Sequence, residues 1–334
     1  MPDVGIVVGG HMSTIGDLAK LAEDGGYESV WVAETAYSAF VQAALAADAT
    51  STVKVGTNIA LAFPRSPTIT AMTARDLAEL SGDRFILGLG SQVKRVNEQR
   101  FSTTFEHPAP KMAEYVEVVQ EVLATFRGEQ VQHEGRFYTV TMNPFPGAGP
   151  VGDVPVYIAA VNQKMIEAAG RVAQGVLGHP LTSPRYLTEV VRPALERGAR
   201  DAGRDPSDIS LTNSVILQLN DDRDQARLEA ALQIAFYATT RTYAPVLELH
   251  DFGDLIPKLR EAFGRGDLAE MAQTALPMVD VYAIAGPEDE CRERLSKFDG
   301  LVDRVLLGGA WVGPDPQAIA ENYRRILHTF RPAA

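Results

Sequence analysis

The chain reads as an α/β protein: a TIM (β/α)8 barrel with a mostly helical insertion before its last strand. Three observations predict this. Short apolar runs at 4–8, 29–33, 54–61, 85–90, 154–160, 175–179, 210–219 and 304–308 alternate with longer helical patterns, as expected of parallel strands joined by crossover helices. Eight such strands favour a closed barrel over an open sheet, and 334 residues fit one barrel domain spanning 1–334. The stretch 221–279 is too long for one crossover and mostly helical in pattern, so it reads as an insertion over the mouth.

Each element has a local reason. Val30-Trp31-Val32 and Val156-Tyr157-Ile158 suit strands buried on both faces. Thr14 with Asp17 resembles a capping box, Ile15, Leu18, Leu21 and Ala22 form one apolar stripe, and Gly25-Gly26 ends that helix. Ser66-Pro67 supplies an N-cap and a first-turn proline, after which Met72, Leu77 and Leu80 should face inward. Further helices are expected at 108–126, 163–173, 184–202, 223–239, 287–298 and 316–330. The segment 128–150 breaks the alternation and reads as a hairpin turning at Glu134-Gly135.

Composition narrows the function. A formal net charge of -12 argues against nucleic acid or an anionic membrane as the main partner. A phosphorylated small molecule stays open, since backbone N–H groups bind anions on acidic proteins. One cysteine permits no internal disulfide, and the six histidines lack metal-ligand spacing, so no metal is expected. No signal peptide and no apolar run of transmembrane length are read, which points to a cytoplasmic enzyme.

In a barrel the site lies at the C-terminal ends of the strands. The residues there are His11, Glu34, Asn58, Ile59, Gly90, Ser91, Gln92, Ala160, Val161, Asn162 and His179. Gly88-Leu89-Gly90-Ser91-Gln92 is not a dinucleotide fingerprint, because Val93 stands where the third glycine belongs. Beside Val161-Asn162-Gln163, a second strand opening through small polar residues into a helix, it forms half of a possible phosphate cradle. Glu34 reads either as a functional carboxylate at the rim or as a partner of the helix that follows. His11 and His179 are histidines at a rim, where chemistry or packing are both open. Phe236, Tyr237 and Tyr243 read as insertion packing, with pocket lining as the alternative.

In this order the residues resemble the bacterial luciferase-like superfamily, more narrowly its deazaflavin (coenzyme F420)-dependent oxidoreductases. The similarity rests on 27–34, 55–67, 84–92 and 154–160, then on Ala285-Gly286-Pro287-Glu288 and 302–307. It implies F420, or alternatively FMN as in the superfamily's monooxygenases, bound in the barrel mouth. It also implies a non-proline cis peptide at Asn58–Ile59 behind the ring, phosphate contacts at Ser91, Gln92, Val161 and Asn162, and an acidic group near the ring at Glu34. Glu34 and His11 are then the candidates for proton exchange with a small organic substrate, and a homodimer is expected. The sugar-phosphate dehydrogenases of this group carry a histidine, a tryptophan and a glutamate where Thr35, Ser38 and Val93 stand, so their catalytic set is not carried over. A barrel that binds cofactor without turnover is the third reading.

Overall fold

The computed structural model describes residues 2–144 and 152–332. Eight parallel staves close into a barrel. They are β1 (Asp3–Val8), β2 (Ser29–Val32), β3 (Lys54–Thr57), extended by the short β4 (Ala60–Leu61), then β5 (Phe85–Gly90), β8 (Val156–Ala159), β9 (Gly175–Gly178), β10 (Ser210–Leu219) and β12 (Arg304–Gly308). Neighbours pair in that order, and β12 returns to β1 with Val4 opposite Val305 and Ile6 opposite Leu307. A two-stranded hairpin, β6 (Val131–Glu134) and β7 (Thr139–Met142), lies outside the barrel. The sequence misses a further strand, β11 (Ala283–Gly286), which pairs in parallel with the far end of β10.

The barrel interior is filled from its N-terminal end by Trp31, Tyr157, Ile86, Leu177 and Leu306. Each such burial contributes about 1.5–3 kcal/mol. Two facing glycines make room for the largest rings. A Cβ on Gly56 would fall 2.4 Å from the Trp31 ring and one on Gly175 would fall 2.6 Å from Tyr157. Below them Arg304 pairs with Glu28 (Nε to Oε2 2.6 Å, Nη2 to Oε1 2.8 Å) and lies over Trp31. Burial alone would raise the Glu28 pKa, but hydrogen bonds and charge from Arg304 hold it at about 2. This end is a plug; the other is open to function.

Several local expectations need correction. The run 54–61 is not one strand: it breaks at Asn58–Ile59, which is a cis peptide. Thr14 makes no capping bond through its side chain; its hydroxyl donates to the His11 carbonyl (2.8 Å), and His11 caps the preceding turn instead. Ser66 sits at the N-cap position without a side-chain bond, and Leu80 is 49% exposed. The helix expected over 184–202 passes through a π turn, Leu187–Val191, just before Pro193, whose missing N–H and bulky ring forbid regular α geometry there. The hairpin turns over 135–138 with Glu134 paired to Thr139, and residues 145–150 of that expected segment lie outside the described residues. The stretch 221–279 is helical, as read.

Candidate active site

The exits of β3, β5, β8 and β9 stand side by side, because Ala60 pairs with Leu89, Leu89 with Ile158 and Ile158 with Val176. Asn58, Ser91, Gln92, Val161, Asn162 and His179 therefore share one rim. At β3 the chain is fixed from both sides: Asn58 N–H donates to the Val32 carbonyl (2.8 Å) and Glu34 N–H to the Ile59 carbonyl (3.1 Å). The Asn58 amide reaches across the barrel to Ser214 Oγ on β10 (2.9 Å). The glycine pair serves this same feature. A Cβ on Gly88 would lie 1.8 Å from the Thr57 carbonyl oxygen, and one on Gly90 would lie 1.9 Å from Ile59 Cδ1. The glycines of the 88–92 run thus let strand three's irregular turn press against β5.

Beyond Gly90 the loop is held from below by the buried Asn97, whose amide donates to the carbonyls of Ser91 (2.8 Å) and Val93 (3.1 Å). Gln92 has φ 56°, and its Oε1 accepts from Val93 N–H (3.0 Å). At the neighbouring exit, Ala160 N–H donates to the Leu177 carbonyl (3.1 Å). The Val161 carbonyl accepts from Tyr186 hydroxyl (3.0 Å). Asn162 is the N-cap of the helix Gln163–Val172 yet makes no side-chain capping bond. The first N–H groups of that helix are thus left for an outside acceptor, which suits a phosphate.

Glu34 is not a free rim carboxylate. Arg65 grips both of its oxygens, and Oε2 also accepts Leu61 N–H (2.8 Å). The pair clamps the β2 exit to the turn after β3. His11 is exposed, with Nδ1 2.8 Å from Ser13 Oγ and its ring edge-on to Tyr37. His179 is stacked on Tyr243 (centroids 4.2 Å apart) and meets Tyr237 edge-on (4.6 Å). Burial pushes its pKa down to about 3, and Nδ1 accepts from Leu181 N–H (3.2 Å), which leaves the proton on Nε2.

The opposite arc of the rim was largely missed. After β12, Gln233 Oε1 accepts the N–H groups of both Trp311 (2.9 Å) and Val312 (3.0 Å), and the Trp311 indole N–H faces the Tyr237 hydroxyl at 3.3 Å. Phe236 supports the indole edge-on at 5.3 Å. Among the described residues no group of three or more His, Cys, Asp or Glu side chains could hold a metal ion. No helix among them is long and apolar enough to cross a membrane.

A sequence model of the family described as luciferase-like monooxygenase matches residues 2–305. The chain belongs to this family. Within it, an uncharacterized protein of Mycobacterium tuberculosis (strain ATCC 25618 / H37Rv) is 40% identical over 307 residues, covering 89% of this chain and 90% of that protein. The 5,10-methylenetetrahydromethanopterin reductase of Archaeoglobus fulgidus is 29% identical over 310 residues, covering 89% of each. Among solved structures, the coenzyme F420-dependent tetrahydromethanopterin reductase of Methanopyrus kandleri superposes with a TM-score of 0.80 at 25% identity, over 98% of both chains. The two chains thus share one barrel fold over nearly their whole length.

Proposed function

We propose that the chain is an F420-dependent oxidoreductase that transfers a hydride between the deazaflavin ring and an organic substrate. The observation that carries this reading is the joined exit of three staves: the turn after β3 at 58–59, the Ser91–Gln92 loop and the uncapped helix at Asn162. Together they bring a backbone turn beside a helix start whose first N–H groups suit a phosphate. The similarity to F420-dependent and methylenetetrahydromethanopterin reductases supports the choice of cofactor.

When bound, F420 supplies a two-electron hydride donor or acceptor. In this reading Asn58 and Ile59 back the ring, while the N–H groups following Asn162 and the loop at Gly90, Ser91 and Gln92 hold its phosphate, with Ala160 and Val161 shaping the adjoining wall. Glu34 acts as a positioning residue, because both its oxygens are already taken by Arg65. His11, with an exposed ring, exchanges the substrate proton. His179 stays neutral and donates from Nε2. With F420 bound as acceptor of the hydride from an alcohol's carbon, His11 would take the hydroxyl proton.

Titration with F420 and with FMN tests the cofactor. F420 binding at micromolar concentration, followed by loss of its visible absorbance with an alcohol panel, is expected. Tight FMN binding without F420 binding overturns the reading, and F420 binding without turnover across alcohols, imines and enones favours a non-catalytic barrel. We further propose a cytoplasmic homodimer, with a second copy covering Val41, Leu45 and Ile69, which are 50%, 39% and 55% exposed on adjacent helices. A monomer in light scattering at micromolar concentration contradicts the dimer.

A further inference from the structure

We infer that Trp311 is the stacking surface for a planar, conjugated ring carried by the organic substrate, with His179 as a hydrogen-bond donor of fixed tautomer on the same aromatic arc. The inference deepens the oxidoreductase reading and rests on it for the word substrate, though the subsite itself is argued from geometry.

Trp311 is 47% exposed at the end of the last stave, yet it is not loosely held. Gln233 accepts its N–H and that of Val312, Tyr237 faces its indole nitrogen, and Phe236 and Tyr237 brace the ring at interplanar angles of 71° and 72°. A buried glutamine committed to two backbone N–H groups of one loop fixes where that loop presents its side chain. An aromatic ring already immobilised gives up little conformational freedom when a ligand covers it. The Tyr237 hydroxyl takes the indole's nitrogen edge while 47% of the residue stays exposed, and flat rings recognise an exposed aromatic ring by offset stacking.

His179 and Trp311 both pack against Tyr237. Its Nδ1 is occupied by Leu181 N–H, so Nε2–H is the group it offers. A half-exposed Phe263 continues the apolar rim outward from Phe236. The contacts that make up this arc are rings and neutral hydrogen bonds, which select shape and conjugation more than charge.

The test uses the full chain, with and without oxidised F420, and calorimetric titration with 2-naphthylmethanol and its saturated counterpart decahydro-2-naphthylmethanol. These have the same carbon skeleton and hydroxyl but differ in planarity. The planar alcohol should bind about fivefold to tenfold more tightly. Trp311→Ala should erase that difference, leaving the saturated alcohol within about twofold, while Trp311→Phe should retain most of it. In turnover with F420, Trp311→Ala should raise KM for the planar alcohol with kcat little changed. Equal binding of the two alcohols, or a planar preference that survives Trp311→Ala, overturns the proposal. Calorimetry needs no turnover, so failure of F420 to bind overturns the oxidoreductase reading without touching this result.

Discussion

The two arcs of the barrel mouth are built from different materials. On the arc from β3 to β8, the proposed cofactor side, the chain presents backbone: the turn after β3, glycines without side chains and the uncapped start of a helix. On the arc from β9 through the insertion to β12, it presents side chains: His179, Tyr237, Tyr243 and Trp311. In the proposed reading the first arc meets the invariant part of the reaction, a cofactor that is the same in every turnover. The second can be altered one ring at a time without disturbing the ladder beneath it.

The sharpest way to break this contrast is Gly88→Ala. Its new Cβ would meet a backbone oxygen that cannot swing away, so a loss of about 3 kcal/mol or more is expected, together with loss of F420 binding. Gly90→Ala meets only the tip of Ile59 and should cost clearly less, about 1 kcal/mol, in thermal denaturation. Similar costs for the two would mean that the turn after β3 is not what these glycines accommodate.

On the side-chain arc, Gln233→Leu removes the acceptor of two N–H groups and should cost about 1–3 kcal/mol in denaturant unfolding. It should also blunt any planar-ring preference while leaving F420 affinity intact. An equal loss of F420 affinity would erase the distinction between the arcs.

Asn162→Asp probes the cofactor side more gently, and with opposite signs. A carboxylate at an uncapped helix start should stabilise the apoprotein by about 0.5 kcal/mol, yet repel a bound phosphate and weaken F420 about tenfold. Tighter F420 binding in this variant would remove the phosphate from that helix.

A further effect concerns acid. The folded pKa of His179 is lowered to about 3 from an ordinary value of 6.5, so between these pH values the unfolded chain binds the extra proton. Stability therefore falls as pH drops through that window. His179→Gln should flatten this part of the Tm-versus-pH curve; an unchanged acid slope would mean that the histidine is hydrated.

These arcs also differed in legibility. The staves were readable because Val30-Trp31-Val32 and Val156-Tyr157-Ile158 are continuous apolar runs, and their exits stand out where such runs stop at small residues. What the exits do was less readable. The 88–90 glycines read as half of a possible phosphate cradle, and what the sequence could not show is their close approach to Thr57 and Ile59, which depends on register. Glu34 gave no sign of Arg65, thirty-one residues on, and Ser214 lies inside a long apolar strand with nothing to mark its reach to Asn58. β11 is a four-residue Ala-Ile-Ala-Gly segment, too short and alanine-rich to announce itself as a strand. Trp311 follows a Gly-Gly-Ala run that carries no periodicity, and only Gln233, in the insertion, gives it meaning.

The ten-residue β10 serves three neighbours in succession: β9 along Ser210–Asn213, β12 along Thr212–Ile216 and β11 along Ile216–Leu219. The excursion that leaves after Leu219 is stitched back, on return, to the very strand it departed from. Its two ends are thereby soldered at one anchorage beyond the cylinder's hoop of hydrogen bonds. A change in the length of that excursion would therefore fall outside the closed ring of paired strands, with β10 as its shared support.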